Sequence, residues 1–594
     1  MCEIVYNILI TNFTVHRCII RSNAPSNLQM QPLGCIFVYA LNCITFGTAI
    51  DPAAGSGNFL TETYISLRRL ENDALYEEHR GQMMLGGEGE YNPIQVSIGQ
   101  FYGIEINDFA VTVAKTALWI AESQMMQETE KLMQINLNFL PLKSYANIVE
   151  GNALRIDWES VVPKEKLNYI MGNPPFVGAN NLNKEQKNDI LDICGDEIAK
   201  GGLLDYVSAW YIKATRLITG TNIRVTFVST NSITQGEQVA ILWKPLFEKY
   251  NIHIDYAYRT FTWNSEASIK AHVHCVIVSF SIADNNITKY LYEGERFLIA
   301  KNISPYLIDA PNVFIDRRKK PLCAVPEITK GCQPTDGGNL IIEADEYEEF
   351  IKREPNALKY IKRLVGAKEY INGLDRWCLW LVGVSPRELR SMPLVMERIE
   401  KVRKMRLNST DKATRKLAET PTVFRETYNP DTFIIIPSAS SENRRYIPLG
   451  FLGKDTISTN LNLIISDATL YHFGVLTSNV HMAWMRTVCG RLKSDYRYSK
   501  DIVYNNFPWC NPTPEQKAKI EKTAQAILDA RALYPDCSLA DLYDETTMPP
   551  ELRKAHQAND FAVMAAYGFD RKITESECVA ELMKRYQELV KVKK

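Results

Sequence analysis

Apolar and polar positions follow two rhythms in the first half of the chain. Thr48–Ile50 is a short apolar stretch that stops at a small-residue run, Asp51–Asn58. Leu60, Tyr64, Leu67 and Leu70 then recur at helical spacing, which predicts strand, glycine turn and helix in that order. A second strand is expected in "SIGQFYGIEIND" (Ser97–Asp108), with Glu105 at its carboxyl end and a helix directly behind it. The polar, Gly-rich stretch from Glu71 to Pro93 between these units reads as an inserted loop. A third strand should precede "GNALRIDW" (Gly151–Trp158), and a fourth lies in "KLNYIMGNPPF". Asn222–Ile233 alternates with β-branched residues, and the segment from His253 to Phe280 has a polar, aromatic middle and a strand at its end. Strands alternating with helices predict an α/β, Rossmann-like doubly wound sheet.

From about Asn302 the rhythm changes. Arg317–Lys320 packs four cations, "RIEKVRKMRLNSTDKATRKLAETPTVFRE" reads as a basic helical stretch, and "ENRRYIPLGFL" and "GRLKSDYRYSKDIVYNNFPW" interleave Arg, Lys and Tyr. Basic side chains neutralise phosphates while Tyr and Arg stack, although a single basic helix is more often a solvated face. After Pro508 the pattern turns helical: Thr513-Pro514 is a helix start, followed by apolar spacing at Ile520, Ala524 and Ile527. The expected organisation is an unassigned segment (1–47), the doubly wound domain (48–290), an α+β second region (291–510) and a helical C-terminal cap (511–594).

Composition changes little in this picture. With 594 residues, 46% hydrophobic and 23% charged, the chain can bury several cores. Its formal net charge of -1 gives no overall bias toward nucleic acid, so any basic surface is local. The 13 cysteines are scattered without a C-x-x-C pair, which fits reduced thiols in a cytoplasmic protein. The apolar run Leu33–Thr48 is short of a spanning length and is interrupted by Asn42; a signal peptide fits the pattern, but a buried strand or irregular packing element is expected, with no membrane association. His272 and His274 share a strand face, but no carboxylate or cysteine stands at ligand spacing, so strand packing is expected rather than a metal.

Four polar stations fall at carboxyl ends of successive strands, where open α/β sheets bind ligands. Gly55 and Gly57 allow a sharp turn and close backbone approach, and no Lys-Ser/Thr follows them, which excludes a triphosphate loop. Asp51 calls for a ligand with positive or polar groups. Glu105 can accept both hydroxyls of a ribose, or serve as a helix N-terminal charge. Asn152 can meet a base edge, or cap a turn. Asn173-Pro174-Pro175-Phe176 makes a stiff turn, because Pro fixes φ and cannot donate to a ladder.

These segments resemble class I methyltransferases that use S-adenosyl-L-methionine, in particular the amino-methylating DNA enzymes. "DPAAGSGNF" is similar to their motif I, usually written with Cys where Ala54 stands; "GIEI", "GNAL" and "NPPF" resemble the second, third and catalytic fourth motifs, in the γ order. "NSEASIKAHVHCVIVSF", "GRLKSDYRYSKDIVYNNFPW" and "ELRKAHQANDFAVMAAYGF" resemble the MmeI-type methyltransferases, and the resemblance covers Ile50 to Phe569. It implies a sequence-specific adenine methyltransferase acting on double-stranded DNA in a restriction-modification or self-marking system. It also implies roles. Asn173 and Pro174 would hold the target amino group, with Pro175 fixing the loop and Phe176 stacking on a flipped base. Asp51 and the Gly55–Gly57 backbone would hold the cofactor's amino-acid part, Phe59 its sulfonium, Glu105 its ribose and Asn152 its adenine, with Pro52, Ala53, Asn58, Ile106 and Ala153 in the same site. Arg317, Arg318, Lys319, Lys320, Arg444, Arg445, Arg491, Lys493 and Arg497 would contact DNA. Larger family members carry an N-terminal endonuclease and a helical connector, for which there is no room before Asp51, so a separately encoded restriction nuclease is a candidate partner. Met1–Phe46 do not resemble the family's usual methionine-binding segment. A DNA-binding remnant without catalysis therefore stays open as an alternative, and, because Asn-Pro-Pro-aromatic also occurs in glutamine methyltransferases, so does methylation of RNA or of protein glutamine.

Overall fold

The computed structural model describes residues 47–78, 94–133, 137, 147–264, 272–282, 287–492 and 494–592. The unassigned N-terminal segment up to Phe46 and Lys493 lie outside the described residues. The chain forms two compact units, one running through Ile233 with Gln238–Leu307, the other made of Thr234–Glu237 and the residues from Ile308 onward.

The first unit is built on a nine-stranded sheet. Its strands are β1 (Ala49–Asp51), β2 (Phe101–Glu105), β3 (Asn147–Glu150), β4 (Tyr169–Gly172), β5 (Arg224–Thr230), β6 (His253–Asn264), β7 (His272–Ser281), β8 (Lys289–Glu293) and β9 (Arg296–Ala300). They lie in the order β3-β2-β1-β4-β5-β7-β6-β8-β9. The five strands from β3 to β5 pair in parallel, while β7 runs antiparallel to both β5 and β6. After β1 the chain moves outward through β2 and β3, then returns to place β4 on the other side of β1. The crevice between β1 and β4 is therefore the topological switch point of the sheet.

Helices α1 (Asn58–Glu78) and α2 (Asp108–Met133) cover one face. Leu60 and Tyr64 from α1 and Ala114, Leu118 and Met125 from α2 close over Phe101, Ile148 and Met171. Each such large side chain contributes about 1.5–3 kcal/mol relative to exposure. The first part of the expected inserted loop is helix, because α1 continues through Glu78, and residues 79–93 lie outside the described residues. Glu71 is fully buried, pairs with Arg68 and accepts the Gln95 and Val96 N–H groups, so polar residues here face inward. The other face carries α3 (Lys184–Cys194), α4 (Ser208–Leu217) and α5 (Gly236–Tyr250). Tyr211 of α4 and Trp243 of α5 meet edge to face at 5.3 Å, and Tyr211 lies against Phe227 of β5.

The His253–Phe280 segment holds two strands rather than one. β6 is twelve residues long, and register shifts at Ile254/Tyr256 and Tyr258/Phe261 break its alternation. β8 and β9 complete the same sheet. β9 is its edge, with Arg296, Phe297, Leu298 and Ile299 all exposed.

The second unit is α+β and then helical. One four-stranded sheet joins Ile328–Lys330, Asn462–Ser466, Thr432–Pro437 and Gly450–Gly453; another joins Ile341–Glu343, Arg376–Leu379, Ile361–Val365 and Thr456–Ser458. The helix at Pro514–Ala532 starts as the sequence predicts, with Thr513 and Gln516 capping each other reciprocally. Helices Pro550–Tyr567 and Glu575–Val592 follow. Among the described residues no helix is long and apolar enough to cross a membrane.

Candidate active site

Asp51 ends β1 and is fully buried. Its Oδ1 accepts the Ala53 N–H at 2.9 Å, while its Oδ2 is buried without a hydrogen-bond partner among the described residues. Burial, opposed by the Ala53 hydrogen bond and reinforced by the charge of Glu105, pushes its pKa up to about 7. Gly172, at the end of β4, lies against this carboxylate, and a Cβ there would collide with Asp51 Oδ1. The glycine before the Asn-Pro-Pro turn is thus demanded by a residue on the neighbouring strand. Pro52 is buried, and its carbonyl accepts Trp210 Nε1 at 3.0 Å.

The glycine turn has two differently employed glycines. Gly55 sits at φ 56° with its N–H on Glu105 Oε2 at 2.8 Å, and a Cβ there would meet nothing within 4 Å. The space beside it is open. Gly57 has φ 82°, and a Cβ there would lie 2.8 Å from Ala114 Cβ, so the packing of α2 also requires this glycine. Asn58 opens α1, exposed, with Ser56 Oγ donating to its Oδ1 at 3.2 Å.

Glu105 is pinned at the end of β2. Its Oε2 takes Gly55 and its Oε1 takes the Asn107 N–H at 3.0 Å, leaving two of about four lone-pair sites free. Ile106 beside it is 67% exposed. Asn152 Oδ1 accepts the Leu154 N–H at 2.9 Å, and its Nδ2 donates to Asp189 at 3.0 Å. The Ala153 side chain is buried, and its carbonyl accepts from Trp158 Nε1 and Lys213 Nζ, both at 2.8 Å. It shapes the turn from behind.

At the fourth station Asn173 Oδ1 is buried and has no hydrogen-bond partner among the described residues. Pro174 is buried, Pro175 exposed and Phe176 half-buried. Phe176 and Phe59, like Tyr258, Phe261 and Tyr292, pack against a buried cluster of Val228, Tyr256, Cys275, Ile277 and Tyr290. The loop beyond is fastened by Tyr206, whose N–H donates to Val177 O at 2.9 Å, and by Asp205, which accepts the Ala179 N–H at 2.8 Å. Asp51, Glu105, Asn152 and Asn173 thus all stand at carboxyl ends of β1 to β4.

Sequence reasoning missed the residues behind these stations. Trp210 and Lys213 are one helical turn apart on α4 and hold the first and third turns. Burial lowers the Lys213 pKa to about 8. Burial pushes the Asp189 carboxyl up, but hydrogen bonds from Arg155, Asn152 and Tyr206 outweigh it and hold the group below its usual range. The available signal was a polar residue within an apolar helix, in "DYVSAWYIKA".

The MmeI DNA-methyltransferase domain matches residues 40–293, the MmeI target recognition domain 309–511 and the MmeI C-terminal domain 512–593. The solved structure of the type IIL restriction-modification enzyme MmeI in complex with DNA superposes with a TM-score of 0.85 at 42% identity, covering 99% of this chain and 78% of that one. The chain belongs to the MmeI family. It is also 44% identical over 543 residues to DNA methyltransferase A of Bacillus subtilis (strain 168), covering 91% of this chain. It spans 61% of that relative's length.

Within the region matching the MmeI target recognition domain, the expected DNA contacts divide. Arg317 is exposed but donates to Asp501 at 2.8 Å and lies 3.7 Å from Glu237. Arg318 is half-buried on Asn506 Oδ1 at 3.2 Å. Lys319 and Lys320 are exposed, with Glu327 3.4 Å from Lys320. Arg491 bonds Glu442 at 3.2 Å and stacks on Tyr496 at 4.3 Å. Arg445 is exposed over Tyr446, and Arg497 is exposed at the end of a strand. Arg444 is half-buried with Nε unpartnered, and it lines a cavity of about 400 Å³ with Arg445 and Tyr446. The basic helix at Pro393–Leu407 is partly a core element. Arg406 is fully buried and donates to the carbonyls of Pro334, Thr335, Leu417, Thr420 and Val423.

Proposed function

We propose that this chain is a sequence-specific DNA methyltransferase that transfers a methyl group from S-adenosyl-L-methionine to the exocyclic 6-amino group of adenine. The observation that carries this reading is the buried, unpartnered Oδ1 of Asn173, an acceptor awaiting a donor at the switch point of the sheet. The residues present fit the cofactor. Asp51 Oδ2 is a second bare buried acceptor suited to an ammonium group, Gly55 borders open space, and Ile106 offers an exposed apolar surface beside Glu105. Bound there, S-adenosyl-L-methionine supplies an electrophilic methyl group.

The amino nitrogen of adenine is a weak nucleophile because its lone pair is delocalised into the ring. Asn173 Oδ1 accepts one of its N–H groups and the Pro174 carbonyl accepts the other, which draws the nitrogen toward tetrahedral geometry. This is positioning with electrostatic stabilisation and needs no covalent enzyme intermediate. Pro174 and Pro175 fix φ, so the carbonyl direction costs little ordering entropy. A base inside a duplex is out of reach, so the target is flipped out and stacks on Phe176, a contact of about 1–3 kcal/mol. Residues 48–290 carry this chemistry, 291–510 read the DNA and 511–594 buttress the reader. A separately encoded restriction nuclease would supply cleavage.

Modified-base sequencing of host DNA with and without the gene identifies the site and base. In purified protein, Asn173→Ala abolishes methyl transfer while cofactor affinity measured by calorimetry stays near the parent's. Equal loss of both would remove Asn173 from this role.

A further inference from the structure

Asp189 lies between two stations of the site and belongs to neither. It sits on α3, is 5% exposed, and receives Asn152 Nδ2 and the Tyr206 hydroxyl on one oxygen, Oδ2, each at 3.0 Å. Its Oδ1 takes Arg155 Nε at 2.8 Å, from a side chain that is largely solvated. With Leu154 N–H on Asn152 Oδ1, both ends of the Asn152 amide are fixed. Each end keeps one further bonding capacity, a donor and an acceptor side by side, which is what an adenine edge requires.

Tyr206 carries the connection onward. Its hydroxyl is on Asp189, and its N–H is on the Val177 carbonyl, the residue immediately after Phe176. Asp189 is tied to the same loop along the chain, because α3 begins at Lys184 with Asn183 as its N-cap. A continuous path of hydrogen bonds therefore runs from Asn152 through Asp189 and Tyr206 to Val177. Every bond in it has ordinary length, and α4 is also held on the sheet by Tyr211, which packs against Phe227 and Phe280.

We propose that Asp189 and Tyr206 are positioning residues that couple the cofactor's adenine to the base-stacking loop, so that cofactor and flipped target base bind cooperatively. This rests on the methyltransferase reading given above. Engagement of Asn152 by the cofactor steadies Asp189, which steadies Tyr206 and holds Val177 where Phe176 faces the target. By linkage the reverse holds, and the DNA tightens the cofactor by the same factor.

Tyr206→Phe isolates the path. It removes one hydroxyl while keeping the ring's edge contact with Trp210 at 5.2 Å and the N–H bond to Val177. The affinity of the full chain for a duplex bearing its mapped site is measured with and without saturating S-adenosylhomocysteine. The parent shows coupling of about fivefold or more. In Tyr206→Phe the coupling falls to within about twofold of none, while each ligand still binds alone. Asp189→Ala also loses coupling and weakens S-adenosylhomocysteine by itself. Asp189→Asn, whose amide oxygen can still accept from Asn152 and Tyr206, recovers most of both. Parent-level coupling in Tyr206→Phe overturns the proposal, as does a parent that binds both ligands independently. A parent that binds no S-adenosylhomocysteine overturns the methyltransferase reading as well.

Discussion

At Asp51 a fully buried carboxylate carries one paired oxygen and one bare one. Its pKa of about 7 stands above the ordinary 3.8, so the free protein holds this group protonated through mildly acidic pH. A cationic ligand group gains only from the ionised form. Cofactor affinity should therefore rise with pH by up to about tenfold per unit below 7 and level off above it. Calorimetric titration of S-adenosylhomocysteine from pH 5.5 to 8.5 checks this, and Asp51→Asn should flatten the profile. An affinity indifferent to pH in the parent would show that Asp51 meets no cation. The same shift affects folding with a definite sign. Folding favours the protonated form, so that contribution is full below the unfolded value and is lost as pH rises through 7.

Between elements, the contact of β1 with β4 decides the shape of the site. Gly172→Ala would drive a methyl group into Asp51 Oδ1, and overpacking of this kind costs about 1–3 kcal/mol. The expected result is a lower unfolding midpoint together with at least about tenfold weaker S-adenosylhomocysteine binding. Unchanged cofactor affinity would show that the carboxylate can shift without consequence. The ends of β1, β3 and β4 were legible in the sequence because Asp-Pro, Gly151, and Asn-Pro-Pro punctuate them sharply. β6 was not, since its two register shifts scramble the period that a reader relies on. Nor were Asp189 and Lys213, whose partners in the third turn, residues 152 to 156, lie 34 or more positions away. The inward turn of Arg406 was equally hidden, because on a charged helix one inward arginine leaves the apolar spacing unchanged.

Over the whole molecule, the net charge of -1 means that, on the proposed reading, DNA is met by a local cationic surface. The structure separates two kinds of cation within Arg317–Lys320. Arg317 is held by Asp501 and Glu237, whereas Lys319 and Lys320 reach solvent. Replacing Lys319 and Lys320 together with Glu should flatten the dependence of log affinity on log salt by about 1–2. Arg317→Ala should lower the unfolding midpoint and leave that slope nearly intact. The opposite pattern would mean that Arg317 leaves its carboxylates to take a phosphate.

The long sheet of the first unit has to stop somewhere, and it stops at β9. Phe297 and Ile299 are 54% and 64% exposed on a strand with one open ladder side. The consequence is colloidal: in concentrated solution this rim is a template on which other chains can add strand to strand. Ile299→Lys should raise the concentration at which light scattering first climbs, with methyl transfer unaffected. If scattering is unchanged, the rim is covered or too twisted to be joined.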